Sequence, residues 1–150
     1  MVVLEVRSPS ATPPGRCVAT VIVVDASVLA PALGDDGEDG DAARSRLRGE
    51  LLTAPELIDL EVASVLRRQV AAGHLDERRA ALALQDLVDL PLRRASHRVL
   101  LPRCWELRGT VTTYDAAYVA LAEALDLVLL TADARLSRAP GIRCVVELLS

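Results

Sequence analysis

Two apolar runs of this chain each end on an acid and a hydroxyl, a combination that could bind a metal ion or a phosphate. The run VIVVDAS ends with Asp25 and Ser27, and the run LVLLTAD ends with Thr131 and Asp133. Short apolar runs rich in β-branched residues are typical of parallel strands that are covered on both faces. Open α/β sheets bind their ligands at the carboxyl ends of such strands. The alternative for the first run is that Asp25 or Ser27 only caps the helix that follows.

Two further acids lie on predicted helices. Glu61 lies at the edge of the apolar stripe of a helix predicted from Pro55 to about Ala72, and no basic residue stands three or four positions away from it. Its carboxylate therefore either reaches solvent or finds a partner elsewhere in the fold. Asp115 opens a helix that runs to about Leu125, where it fits a capping box with Thr112. The helix dipole would keep Asp115 ionised and available to a nearby site.

The order of the predicted elements indicates an α/β fold with a central, mostly parallel β-sheet flanked by α-helices. Right-handed helical crossovers bring all strand carboxyl ends to one edge of such a sheet, which places Asp25 and Asp133 there. Asp115 and Glu61 could reach the same edge from their helices. Carboxylates gathered at one spot repel unless a cation neutralises them, and oxygen ligands favour Mg²⁺ or Mn²⁺. Such a cluster suits metal-assisted hydrolysis of a phosphodiester.

The composition limits the class of protein. The 150 residues suit one domain, predicted over 21–150, after a flexible N-terminal extension over 1–20 that does not resemble a signal peptide. The net charge of −4, one Trp and no Phe argue against a basic coat or stacked aromatic side chains for nucleic acid. The three Cys lack CxxC spacing and the two His are isolated, which disfavours zinc and indicates a reducing, cytoplasmic setting.

All basic residues are Arg, and phosphate contacts are expected where they cluster, near Arg44–Arg48, Arg67–Arg68 or Arg108. The acidic, glycine-rich stretch Gly34–Asp41 is predicted to be a solvated loop, since it lacks the spacing of an EF-hand. Trp105 is predicted to lie in the core beside Cys104.

Four segments together resemble the PIN-domain ribonucleases of the VapC toxin type, from VapBC toxin–antitoxin systems. These segments are VVDASVL, PELIDLEVASVLRR, TTYDAAYVALAEAL and LLTADARL, and the resemblance runs from about Val21 to Leu149. The segment before Asp115 departs from the pattern, because it reads RGTVTT where close relatives often have an asparagine.

The resemblance implies an Mg²⁺- or Mn²⁺-dependent endoribonuclease that cuts tRNA or ribosomal RNA with an acidic site of the two-metal type. Asp25, Glu61, Asp115 and Asp133 would be the catalytic metal ligands, and Ser27 and Thr131 would hold metal, water or the carboxylates. It also implies a homodimer and a cognate VapB-type antitoxin whose tail enters the active-site groove.

Other functions fit less well. An aspartyl phosphatase or a receiver domain would need a Lys, which the chain lacks, and no nucleotide-binding glycine motif is present. A catalytically silent PIN-like module with an RNA-binding or regulatory role is the remaining alternative. Four carboxylates would not help such a module to bind RNA, because they repel its phosphates.

Overall fold

A parallel β-sheet of five strands forms the centre of the computed structural model, which describes residues 19–150. The strands are β1 (Val21–Val24), β2 (Leu51–Pro55), β3 (Leu92–Ala95), β4 (Leu129–Thr131) and β5 (Val146–Leu148). The helices are α1 (Ala26–Gly34), α2 (Glu38–Leu47), α3 (Ile58–Ala71), α4 (Glu77–Asp89), α5 (Leu101–Glu106) and α6 (Thr113–Leu125), with short 3₁₀ turns at His97–Leu100 and Leu136–Arg138. The predicted α/β class and the predicted order of elements are confirmed.

The strand order β3-β2-β1-β4-β5 makes β1 the central strand. The chain first moves outward from β1 through β2 to β3, and it then returns to the other side of β1 with β4 and β5. The order therefore reverses between β1 and β4, and a parallel sheet opens a crevice for ligands at such a point. Val24 pairs with Leu130 across this junction, which sets the ends of the two strands side by side.

Helix α6 packs on the sheet with one long buried segment, Ala116–Ala122. Because most of these side chains are small, the helix approaches β1 and β2 closely and brings its first turn to the carboxyl edge of the sheet. Helices α1 and α3 pack against each other, and the α3 side chains Ile58, Val62 and Leu66 are buried. The fold thus directs the beginnings of α1, α3 and α6 to one edge.

Three local predictions are wrong. Pro55 is the last residue of β2, paired in register with Ala95, and the helix begins only at Ile58. The stretch Gly34–Asp41 is not all loop, since α2 begins at Glu38, where acidic side chains in the first turn interact favourably with the helix dipole. Trp105 is 69% exposed, because the buried stripe of this segment consists of Leu100, Cys104 and Leu107, and Trp105 points about 100° away from it.

The predicted N-terminal extension lies outside the described residues, apart from Ala19 and Thr20. Its boundary with the domain stays a prediction. Within residues 19–150, none of the helices combines the length and the apolar character that crossing a membrane requires.

Replacement of Gly40 by alanine should destabilise the protein, although alanine usually stabilises a helix relative to glycine. A Cβ at Gly40 would lie 1.9 Å from the backbone oxygen of Asp35, which cannot rotate away. We expect the free energy of unfolding in urea to fall by about 1–3 kcal/mol. Gly109→Ala is the matched control, since a Cβ there meets nothing within 4 Å. Equal stabilities of the two variants would contradict the close approach.

Candidate active site

A groove of about 520 Å³ opens at the carboxyl edge of the sheet, next to the ends of β1 and β4. All four acids singled out from the sequence line it, and so does Ser27; Thr131 is fully buried behind Asp25. The remaining lining residues are apolar or polar side chains of α1, α3 and α6 and the residues next to them, namely Ala26, Leu57, Leu60, Ser64, Val65, Arg68 and Tyr114. The structure therefore places the predicted acids along one surface.

Asp25 lies directly after β1 and is only 6% exposed. Its backbone N–H donates to the Leu130 oxygen at 3.0 Å, so the β1–β4 pairing fixes the position of the residue. The hydroxyls of Ser27 and Thr131 both donate to Oδ2, at 2.8 and 2.7 Å. In the described part of the chain, no side chain donates to Oδ1. One carboxylate oxygen is thus held by the protein, and the other is left for the groove.

The direction of these hydrogen bonds follows from the backbone. The Ala132 N–H donates to Ser27 Oγ at 2.9 Å, and the Asp133 N–H donates to Thr131 Oγ1 at 3.0 Å. Because both hydroxyl oxygens accept from backbone N–H groups, their single protons are free to point at the Asp25 carboxylate. Ser27 and Thr131 therefore orient a carboxylate, which is one of the three roles that the family resemblance implies for them.

Glu61 obtains a partner that sequence spacing does not reveal. The Tyr118 hydroxyl, on α6, donates a hydrogen bond to Glu61 Oε2 across 57 positions of sequence. Tyr118 is fully buried, whereas Glu61 is half-buried at the groove. Glu61 therefore does not simply reach solvent. Its contact with Tyr118 joins α3 to α6 and fixes the orientation of the carboxylate.

Asp115 occupies the first turn of α6, as predicted. Its backbone N–H donates to Thr112 Oγ1 at 3.1 Å, and the Thr112 hydroxyl donates to Asp115 Oδ2 at 2.7 Å. The capping role is thus confirmed. The same side chain also lines the groove, so the cap does not remove Asp115 from the acidic surface.

Asp133 is arranged differently from the other three acids. Arg135 binds both of its carboxylate oxygens, with Nη2 2.9 Å from Oδ2 and Nε 3.2 Å from Oδ1, and the Arg135 N–H adds a bond of 2.8 Å to Oδ1. These hydrogen bonds lower the pKa of the Asp133 carboxyl below its usual range. The fourth acid therefore has a counter-ion within its own chain.

The other three carboxylates repel one another. Burial, and then the charge of Asp115, raise the pKa of the Asp25 carboxyl, although the two hydroxyls partly oppose this. Burial and the charges of Asp25 and Asp115 likewise raise the pKa of Glu61. Among residues 19–150, no set of three or more acidic, imidazole or thiol side chains is drawn together tightly enough to coordinate a metal as it stands.

Sequence reasoning missed two residues that complete this surface. Tyr118 stands three positions after Asp115 and hence on the same face of α6, and its hydroxyl is the one polar group in a buried apolar helix segment. That pattern could have identified it. Arg135 stands two positions after Asp133, and the sequence gives no sign of whether its side chain turns to this acid or to solvent.

Comparisons with known proteins agree on one family. The family model described as the PIN domain matches residues 22–142. Ribonuclease VapC1 of Mycobacterium tuberculosis is 43% identical over 127 residues, which cover 84% of this chain and 96% of the relative. Ribonuclease VapC12 of the same organism is 36% identical over 130 residues, covering 87% of this chain and all of the relative.

Solved structures share the fold at low sequence identity. VapC20 of Mycobacterium tuberculosis, described as a sarcin–ricin loop cleaving toxin, matches with a TM-score of 0.64 and 18% identity, over 83% of this chain and 98% of that one. A chain of the VapBC2 complex from Rickettsia felis, which is bound to a fragment of promoter DNA, matches with a TM-score of 0.62 and 12% identity, over 87% and 99%.

Replacement of Asp25 by asparagine should stabilise the protein in the absence of divalent metal. Because the pKa of this carboxyl is higher in the folded protein than its ordinary value of 3.8, the folded state binds the proton more tightly. Ionisation therefore costs stability progressively as the pH rises from the ordinary pKa through the folded one, and the cost is full once the pH exceeds the folded pKa. Asparagine keeps the shape and removes this cost.

We expect Asp25→Asn to melt above the wild type at pH 7 in chelator, with a difference that shrinks towards acidic pH. Asp86→Asn, at an exposed position of α4, is the control for loss of one negative charge. If Asp86→Asn raised the melting temperature as much as Asp25→Asn, the change in net charge would be the cause.

Proposed function

Because the chain belongs to the PIN-domain family of VapC ribonucleases, we propose that its acidic groove hydrolyses RNA phosphodiester bonds with the help of Mg²⁺ or Mn²⁺. Its relatives identify the chain as a VapC-type ribonuclease toxin of a VapBC system. The observation that carries the proposal is the convergence of Asp25, Glu61 and Asp115 on one groove, where burial and the neighbouring negative charges raise the pKa of Asp25 and of Glu61. A bound cation would offset this repulsion.

The donor set fits a hard divalent cation. The groove offers carboxylate oxygens from Asp25, Glu61, Asp115 and Asp133, and no Cys or His lines it. Such oxygen ligands suit Mg²⁺ or Mn²⁺ better than Zn²⁺. A bound ion of this kind supplies a hydroxide-like nucleophile at neutral pH and stabilises charge on the leaving oxygen.

The chain's own residues would prepare the groove for this ion. Ser27 and Thr131 fix Oδ2 of Asp25, so that the carboxylate presents its other oxygen in one orientation. Tyr118 does the same for Glu61 from the opposite helix. Residues that support metal ligands in this way restrict their orientation before the ion binds. Ser27, Thr131 and Tyr118 are therefore positioning residues in this proposal.

A structured cellular RNA, either tRNA or ribosomal RNA, is the proposed substrate. The described activity of VapC20 on the sarcin–ricin loop supports this class. The expected partner is a VapB-type antitoxin, in keeping with the VapBC2 complex among the structural neighbours. We further propose a cytoplasmic homodimer, the arrangement that the family resemblance implies.

Neutral isosteres of the three converging acids should abolish RNA cleavage without unfolding the protein. We expect Asp25→Asn, Glu61→Gln and Asp115→Asn to cut RNA at least about 100-fold more slowly, because each removes a charged ligand of the ion. The measurement is cleavage of total bacterial RNA by purified protein with Mg²⁺ or Mn²⁺ and with chelator. Asp86→Asn serves as the control.

The same samples test metal binding directly. Mn²⁺ should raise the melting temperature of the wild type and of Asp86→Asn but not that of Asp25→Asn, because binding to the folded state stabilises it. Binding of RNA by the wild type without cleavage in either metal would favour the silent RNA-binding module instead.

Loss of the Asp133 charge should reduce the rate of RNA cleavage less than loss of the charge of Asp25, Glu61 or Asp115. Arg135 already neutralises much of this charge, so Asp133→Asn removes less attraction for a cation. We expect a loss of cleavage of about tenfold for Asp133→Asn, compared with the near-complete loss in Asp115→Asn. Titration with Mn²⁺, followed by the melting temperature, should show the same order. Equal losses in the two variants would mean that Arg135 leaves Asp133 when the ion binds.

A further inference from the structure

A second hollow, of about 400 Å³, adjoins the acidic groove and shares Asp115 and Asp133 with it. Two guanidinium groups, those of Arg108 and Arg135, line this hollow. The segment 109–112 also lines it, and a Cβ added at Gly109 would meet nothing within 4 Å, so the backbone there is open. The hollow therefore brings guanidinium groups next to the acidic groove.

Arg108 is held in place on this hollow. Its guanidinium carbon lies 4.9 Å from the centroid of the exposed Trp105 ring, and Nη1 donates to the Trp105 oxygen at 2.7 Å. A guanidinium stacked on an aromatic ring keeps its remaining N–H groups free for an acceptor. Within residues 19–150, no carboxylate pairs with Arg108, so its charge is available to a ligand.

Several other arginines do not offer this availability. Arg44 and Arg46, in the first of the clusters predicted to bind phosphate, are engaged with acids of their own chain. Arg67 lines a separate apolar hollow between α3 and α4. Further guanidiniums are paired with carboxylates in the same way, namely those of Arg79, Arg94 and Arg103.

Only part of the positive charge near the groove is therefore free. Arg135 is 91% exposed but bound to Asp133, and Arg68 lies on the opposite flank, where it donates to Ser64. Of the clusters predicted from the sequence, Arg108 is the member that combines a fixed position, an available charge and a place next to Asp115.

We propose that Arg108, supported by Trp105, binds a backbone phosphate of the RNA adjacent to the one that is cut. This inference rests on the proposed ribonuclease function. The four carboxylates of the groove repel a polyanion, so substrate needs a cationic contact close to the site. A guanidinium can bind phosphate through two parallel N–H groups, which gives the strand a defined position as well as affinity. Arg108 is thus a binding residue that sets where the strand crosses the acids.

The chain provides its own probe of this contact, because Trp105 is its single tryptophan. Titration with a short single-stranded RNA of mixed sequence, labelled for an independent measurement of binding by anisotropy, should change the tryptophan emission. The emission change and the anisotropy change should saturate together, since a phosphate bound to Arg108 alters the cation that lies against the ring. Chelator keeps the RNA intact during the titration.

Variants of Arg108 separate its role from a structural one. We expect Arg108→Ala to bind this RNA about tenfold more weakly and to lose about 0.7 from the slope of log affinity against log salt. Arg108→Lys should recover the salt slope but only part of the affinity, because lysine keeps the charge and loses the planar fork. Arg78→Ala is the matched control, an exposed arginine of α4 that lines neither hollow nor groove.

Cleavage kinetics with Mn²⁺ complete the test. Arg108→Ala should raise KM about tenfold and leave kcat close to that of the wild type, as expected when a contact is made equally in ground and transition states. RNA binding and KM that are unchanged in Arg108→Ala would overturn the subsite and leave the ribonuclease proposal intact. A wild type that neither binds nor cuts RNA would instead overturn the ribonuclease proposal and the subsite with it.

Discussion

The carboxylate of Asp25, buried where β1 meets β4, is the group on which the arrangement of the groove depends. A buried carboxylate is costly unless hydrogen bonds or a cation compensate it. The hydroxyls of Ser27 and Thr131 compensate one of its oxygens, and they can do so because two backbone N–H groups at the end of β4 occupy their acceptor positions. The remaining charge is directed into a groove where Glu61 and Asp115 add to it.

The topology of the sheet explains why this occurs at one place in the fold. The order of strands reverses between β1 and β4, so the crevice at their carboxyl ends is not covered by a crossover. Helices α3 and α6 approach the crevice from either side, and the contact of Tyr118 with Glu61 joins them. For Asp25 and Glu61, the charges that would attract the proposed cation also oppose folding while no cation is bound, since burial and mutual repulsion raise their pKa values.

The distribution of arginines matters more than the net charge of −4. Many guanidiniums are paired with surface acids, and such pairs contribute little to stability or to the attraction of a polyanion. Arg135 forms a salt bridge with Asp133, whereas Arg108 is stacked on Trp105 without a carboxylate partner in the described residues. The number of basic residues therefore does not indicate where RNA would bind. Whether each guanidinium is paired with a carboxylate is more informative.

The sequence by itself determined the elements and the chemical character of the groove. Apolar runs that end on an acid and a hydroxyl predicted β1 and β4, and the spacing of Thr112 and Asp115 predicted the start of α6, because these signals depend on neighbours in the chain. Local signals failed for Pro55, which fits a strand end as well as a helix start, and for Trp105, whose type suggested burial although its helical position does not.

Apart from the cap between Thr112 and Asp115, the tertiary structure alone decided which groups of the site touch. The bond between Tyr118 and Glu61, the engagement of Asp133 by Arg135 and the stacking of Arg108 on Trp105 depend on how helices pack and how side chains orient. Periodicity fixes the face of an element on which a residue lies. It does not fix the distance between two elements that are far apart in sequence, since that distance is set by the volumes of all the side chains packed between them.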